Sequence, residues 1–186
     1  DIDLVLGTKS PRRHQLLKAL DVPFTIITKE VEETYPDELE KEEIPVYLAE
    51  LKAAAFEARL SKKQLLITCD TVVFLHGELI GKPQNEEDAK AMLNQLSGET
   101  HEVISGVCLK SNSKQHSFYE KTRVHFNPLF PHEIEYYVNQ YHPLDKAGSY
   151  GIQEWIGYIG VNKIEGCYYN VMGLPLQRLY KELFKF

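Results

Sequence analysis

A chain of 186 residues, 43% hydrophobic and 26% charged, has the length and composition of one globular domain able to bury most of its apolar surface. Its formal net charge of −6 excludes a general nucleic-acid binder, which needs basic residues to neutralise many phosphates, so any phosphate site must be local. No apolar run approaches the roughly 20 residues that a membrane helix requires.

Three cysteines, Cys69, Cys108 and Cys167, are odd in number, far apart and set in strand-like sequence. That pattern argues against a disulfide framework or a zinc site and fits a reducing, cytoplasmic compartment. No stretch reads as a signal peptide. The sequence starts at Asp1, so preceding residues are expected and a removed leader stays open.

Residues 2–6 form a short apolar strand, followed by Gly7-Thr8-Lys9-Ser10-Pro11-Arg12-Arg13 and then Leu16, Leu17 and Leu20 at helical spacing. Ser10 is placed as the N-cap, with Pro11 as the first helical residue, where its missing N–H costs nothing. The helix start suits an anion, because the positive end of its dipole lies beside Thr8, Lys9, Ser10, Arg12 and Arg13. The plainer alternative is a capped helix with two solvated arginines. No Walker loop is present. Phe24, Ile26 and Ile27 suggest a second strand, and an acidic loop runs from Val31 to Glu43. Such loops are usually solvated surface, although Glu32 or Glu33 can contribute to a metal site. Val46, Leu48, Ala49, Ala53, Phe56 and Leu60 then describe an amphipathic helix, on which Lys52 reads as a surface lysine.

Leu65 to Leu75 is a strand of β-branched and aliphatic residues covered on both faces, with a lone carboxylate, Asp70, inside it. An unpaired buried carboxylate would neutralise. Asp70 is therefore expected where the strand opens into a cleft, facing a cation, a metal or a proton donor; a strand-end cap or structural ion pair is the alternative. His76-Gly77-Glu78 reads as a hairpin turn, Leu79-Ile80 as the returning strand, and Gly81-Lys82-Pro83 as its stop, which brings Lys82 out near the same sheet end.

Asn85 to Asp88 starts a helix that ends at Ser97-Gly98, and residues 101–109 and 117–126 read as two antiparallel strands. His101 can ligate a metal, but without a second ligand nearby it is expected to be a hydrogen-bonded residue at a strand start. Pro131 opens another helix. Residues 145–153, DKAGSYGIQ, combine glycines, an aromatic and an amide, which permits close backbone approach to a ligand with Gln153 at a base edge; a plain glycine-rich turn is the alternative. Residues 156–161 look like a strand, residues 166–173 like a loop, and residues 174–184 like a final helix started by Pro175.

Taken together, SPRR (10–13), LAELKA (48–53), CDTVV (69–73), GKP (81–83), MLNQLSGETHEVISGV (92–107), DKAGSYGIQ (145–153) and NVMGLPL (170–176) resemble the Maf family of nucleoside triphosphate pyrophosphatases, in the family's order. The resemblance implies one α/β domain over 1–186, with a mixed twisted sheet flanked by helices and a cleft between two lobes, related to the inosine triphosphate pyrophosphatases. It implies a cytoplasmic homodimer with a house-cleaning role, no nucleic-acid polymer and no membrane. The implied reaction cleaves a nucleoside triphosphate between its α and β phosphates with Mg²⁺ or Mn²⁺. By resemblance, Asp70 takes the proton-acceptor position, Ser10, Arg12, Arg13, Lys52 and Lys82 face phosphate, and Glu33 matches an acidic position associated with the metal. Asp70 itself is the alternative metal ligand.

Arg12, Thr71 and Gln153 match the branch acting on dTTP and UTP; the 7-methyl-GTP branch usually carries glutamate where Gln153 stands. An amide can donate to and accept from the O4 and N3 edge of a pyrimidine, which makes that split physically sensible. Two departures stand out. Gly7-Thr8 replaces a more usual Ala-Ser, and Glu154-Trp155 adds a charge and a bulky ring beside the presumed base pocket. Rival readings are 7-methyl-GTP or another non-standard nucleotide as substrate, or a nucleotide-binding regulator of septum formation.

Overall fold

The computed structural model describes residues 1–186. Seven strands form one mixed sheet: β1 (Asp3–Gly7), β2 (Phe24–Ile27), β3 (Gln64–Leu75), β4 (Glu78–Ile80), β5 (Thr100–Lys110), β6 (Gln115–Phe126) and β7 (Val161–Glu165). Their order is β2-β1-β3-β5-β6-β7, with β4 on β3. β1 runs parallel to β2 and to β3, whereas β3–β4 and β6–β7 are antiparallel. Parallel pairs need crossover helices that cover the sheet, and β3 accordingly buries every residue except Gln64 and Thr71.

The helices are α1 (Pro11–Lys18), α2 (Glu43–Ala54), α3 (Glu86–Leu96), α4 (Pro131–Tyr141), α5 (Trp155–Gly160), α6 (Tyr168–Met172) and α7 (Leu176–Lys185), with short 3-10 turns at Glu57–Arg59 and Ala147–Ser149. None is long and apolar enough to cross a membrane.

The chain divides into two compact units, neither continuous in sequence. The first comprises residues 1–71, 104–120 and 173–186; the second comprises 72–103 and 121–172. In the first, Val5, Ala49, Ala53, Phe56, Leu66 and Cys108 form the core between α2 and the sheet. Small side chains allow α2 to come close: the Thr68 hydroxyl donates to the Ala49 carbonyl at 2.6 Å. On β5, a Cβ at Gly106 would collide with the backbone of Pro45 and Val46, so only glycine fits there. In the second unit the core is built from α3, α4 and the 147–156 segment around Leu93, Leu96, Phe126, Tyr137, Ile152 and Ile156. The β3–β4 hairpin turns on His76 (φ 51°) and Gly77 (φ 81°), the paired left-handed conformation that matches strand twist.

Two expected elements are corrected. Residues 155–160 are helix α5, not strand. In a strand, Ile156 and Tyr158 would share a face, yet Ile156 is fully buried and Tyr158 is 77% exposed. Ile156 and Gly160 are instead buried at helical spacing, and the Gly157 N–H closes the first turn on the Glu154 carbonyl. Residues 168–172 form helix α6 where a loop was expected. Its anchor is Asn170, whose buried amide donates to the Val103 carbonyl and the Thr122 hydroxyl, a tertiary tie with no local signature. Pro175 is the residue before α7 rather than its first helical residue.

Candidate active site

The site's first wall is the β1–α1 junction. Gly7 ends β1 where a Cβ would press on the Leu66, Phe56 and Thr68 side chains. The Thr8 hydroxyl accepts from the Ser10 N–H at 3.1 Å, and its carbonyl bonds His14 Nε2 at 2.7 Å. Ser10, in extended conformation, caps α1 by accepting from the Arg13 N–H at 3.3 Å, with Pro11 next. The loop is thereby shaped by its own hydroxyls, and Thr8 keeps a hydroxyl acceptor at its position. Arg12, half-buried, follows in the first turn.

Arg13 points inward rather than to solvent. Its Nε donates to the Gly173 carbonyl at 2.7 Å and its Nη2 to the Thr71 hydroxyl at 2.9 Å, so two of its five donors tie α1 to β3 and to the segment before α7. Thr71 Oγ1 lies 2.8 Å from the buried Ser105 hydroxyl on β5. The Gly173 carbonyl also accepts from the Cys69 thiol at 3.3 Å. Burial pushes the Cys69 thiol up, more than the nearby Arg13 and Lys52 charges lower it. A neutral buried thiol is no nucleophile.

The second wall is the ion-pair cluster on Lys52, which corrects the reading of Lys52 as a surface residue. From the last turn of α2 its ammonium turns onto β3 and donates to Asp70 Oδ1 at 2.9 Å, to Glu33 Oε1 at 3.1 Å and to the Cys69 carbonyl at 3.2 Å. Three donors meet three acceptors. Asp70 is 7% exposed, so the carboxylate inside the apolar strand is held by a fixed cation and not left bare.

Glu33 and Asp70 stand no further apart than the two arms of that shared ammonium allow. No three His, Cys, Asp or Glu side chains converge into a protein-only metal cage. Two hard carboxylates are donors of the kind a Mg²⁺-type cation uses, and here both already pair with the Lys52 ammonium.

The sequence matches the family described as Maf-like protein over residues 3–186. The chain belongs to the Maf family. It is 54% identical over 183 residues, 98% of its length and 95% of its relative's, to a protein of Phocaeicola vulgatus named dTTP/UTP pyrophosphatase. A protein of Bacteroides fragilis with the same name is 50% identical over 97% of this chain and 94% of its own. Among solved structures, a nucleoside-triphosphatase, dITP/XTP pyrophosphatase, from Mycobacterium abscessus overlaps partially: 67% of this chain and 74% of that one, at 11% identity and a TM-score of 0.40.

Within this Maf chain the first unit thus gathers Ser10, Arg13, Glu33, Lys52, Asp70 and Thr71, with Arg12 in the same first turn of α1. Lys82 and Gln153 belong to the second unit. Lys82 is exposed, and its neighbour Gly81 accepts the Gly148 N–H at 3.1 Å, which ties the GKP turn to the 145–153 loop. Gln153 Oε1 is shielded from solvent and has no hydrogen-bond partner. The charge of Glu154, expected to burden a base pocket, is already engaged: Oε1 accepts from the Tyr137 hydroxyl at 2.7 Å and lies 3.7 Å from Lys146 Nζ. Trp155 packs edge-on against Tyr136.

Ser105 and Gly173 were missed as site residues. Ser105 carried the same signal as Asp70, a polar residue within an apolar strand; Gly173 acts through its carbonyl, which no side-chain pattern reveals.

Proposed function

We propose that this Maf protein hydrolyses dTTP and UTP to the nucleoside monophosphate and pyrophosphate. The observation that carries the reading is the Asp70 carboxylate, fixed by Lys52 within a strand and gathered with the anion-suited start of α1 in one unit. Relatives about half identical over nearly their full length bear the name of that activity.

In the mechanism that follows, the triphosphate lies against the start of α1, with Ser10, Arg12 and Arg13 facing its phosphates and the helix dipole favouring the anion. Lys52 holds Asp70 Oδ1 and so leaves Oδ2 to take the proton of a water molecule. That water's oxygen forms a bond to the α phosphorus in line. The bond from the α phosphorus to the bridging oxygen breaks, and its electron pair departs with the pyrophosphate. Lys52 offsets negative charge that grows on the leaving group, and Lys82 keeps the phosphate-facing role that the family resemblance gives it. Mg²⁺ or Mn²⁺, when bound, would be held by Glu33, with Asp70 as its second ligand the alternative to Asp70 as base, and would supply further charge screening.

Gln153 is assigned to the base. Its amide is able to accept from the N3–H of thymine or uracil and to donate to O4. We place the protein in the cytoplasm as a homodimer, for which light scattering should return about twice the 21.4 kDa chain mass.

The test is pyrophosphate release from dTTP, UTP, CTP, dGTP, ITP and 7-methyl-GTP with Mg²⁺ or Mn²⁺. Release chiefly from dTTP and UTP is expected. Release chiefly from 7-methyl-GTP or ITP would move the base assignment, and tight binding without release would replace hydrolysis by a regulatory role.

A further inference from the structure

We propose that Tyr137 and Glu154 form a positioning pair that sets the base selectivity of the enzyme by fixing the peptide on both sides of Gln153. The inference rests on the reading of Gln153 as the base-recognising residue.

Tyr137 is fully buried on α4, inside the core of the second unit, and is one of the largest side chains enclosed there. Its hydroxyl is used in both directions. It accepts the Gly151 N–H at 3.0 Å and donates to Glu154 Oε1 at 2.7 Å. One phenol therefore grips the chain two residues before Gln153 and one residue after it. The Glu154 N–H closes the same turn on the Gly151 carbonyl at 3.0 Å. Gly151 has no room for a side chain: a Cβ would stand 2.6 Å from the Glu154 carboxylate and 3.2 Å from Gln153 Nε2. The turn is thus packed on the amide itself. Ile152 and Ile156, both buried, seat it on the core.

Lys146 brings a positive charge to the same carboxylate from the start of the loop, and Gly148, at φ 72°, fits its backbone against Val73. These contacts restrain the turn that carries Gln153. Rigid placement of a base-reading amide is what a selective contact requires, since discrimination between bases falls quickly when a donor or acceptor is displaced. The influence of Tyr137 is expected on the base rather than the phosphates, because its hydroxyl bonds the turn that carries Gln153.

The experiment uses the full chain with Tyr137→Phe, and with Glu154→Gln as a second variant that keeps the acceptor for Tyr137 while removing the charge. Steady-state kinetics with dTTP, UTP and CTP are measured beside inhibition by inorganic tripolyphosphate, which carries the phosphates without a base. For Tyr137→Phe, KM for dTTP and UTP should rise about tenfold and the preference over CTP should narrow, with kcat within about threefold and tripolyphosphate inhibition unchanged. Glu154→Gln should shift KM in the same direction by less. Unchanged KM and base preference in both variants would overturn the proposal. So would parallel losses in kcat and tripolyphosphate binding, which indicate general loosening of the fold. If the parent protein released no pyrophosphate from dTTP or UTP, the base reading itself would fall and this inference with it.

Discussion

At the scale of single residues, the informative ones are polar groups that the apolar sequence around them makes conspicuous. Asp70 was legible for that reason, and its partner Lys52 was not, because a lysine on the charged side of a helix carries no sign that it will turn inward. The pair also bears on stability. Lys52→Met leaves Asp70 buried without its cation and should cost about 1–3 kcal/mol in urea unfolding, less than a fully buried pair because Glu33 is half exposed. His101 gives a pH-dependent case. Its Nε2 bonds the Tyr150 hydroxyl at 2.5 Å, and its ring stacks on Phe126. Burial, and then the charge of His125, lowers its pKa to about 4. Because the folded value lies below the ordinary 6.5, the unfolded chain binds the extra proton between those limits. The stability is complete above the unfolded value and is lost as pH falls toward 4. Between pH 7 and pH 4.5 the parent should lose about 2–3 kcal/mol more than His101→Gln, read by urea unfolding at each pH.

At the scale of elements, the sequence was most readable where chemistry and period agree. Ser10-Pro11 opens α1 and Asn85 opens α3, each by a side-chain oxygen accepting an N–H three residues on. Ser10→Ala should therefore cost about 1 kcal/mol by loss of the cap alone. The misread elements are those whose conformation comes from turn bonds and tertiary ties that residue periodicity does not show. Residues 155–160 have the β-branched and aromatic content of a strand but are turned into α5 by the bonds that run from Gly151 through Glu154 to Gly157. Helix α6 depends on one buried asparagine. Close helix-to-sheet approach is the other feature that sequence hides. Gly106→Ala drives a methyl into the Pro45 backbone at the start of α2, and backbone cannot step aside as a side chain can. A loss of more than about 2 kcal/mol, seen as a lower urea midpoint with an unchanged m-value, is the expected outcome.

At the scale of the whole molecule, the α/β class and the mixed sheet were implied by the resemblance to the Maf family. Two lobes were implied by the same resemblance, but the positions at which the chain passes from one unit to the other were not legible. β3, β5 and β6 each contribute residues to both units, so no linker, composition shift or glycine-rich hinge marks the change along the chain. Family membership entered the same way, through short segments spread from residue 10 to residue 176, none decisive alone. The central claim is that one carboxylate, Asp70, makes this Maf chain a hydrolase. It is tested most directly by comparing pyrophosphate release from dTTP in the parent and in Asp70→Asn, which keeps size and removes charge. A fall of at least about a hundredfold in kcat, roughly 2.7 kcal/mol of barrier, with the fold intact by circular dichroism, is expected. Activity within about tenfold of the parent, under ~1.4 kcal/mol, would contradict it.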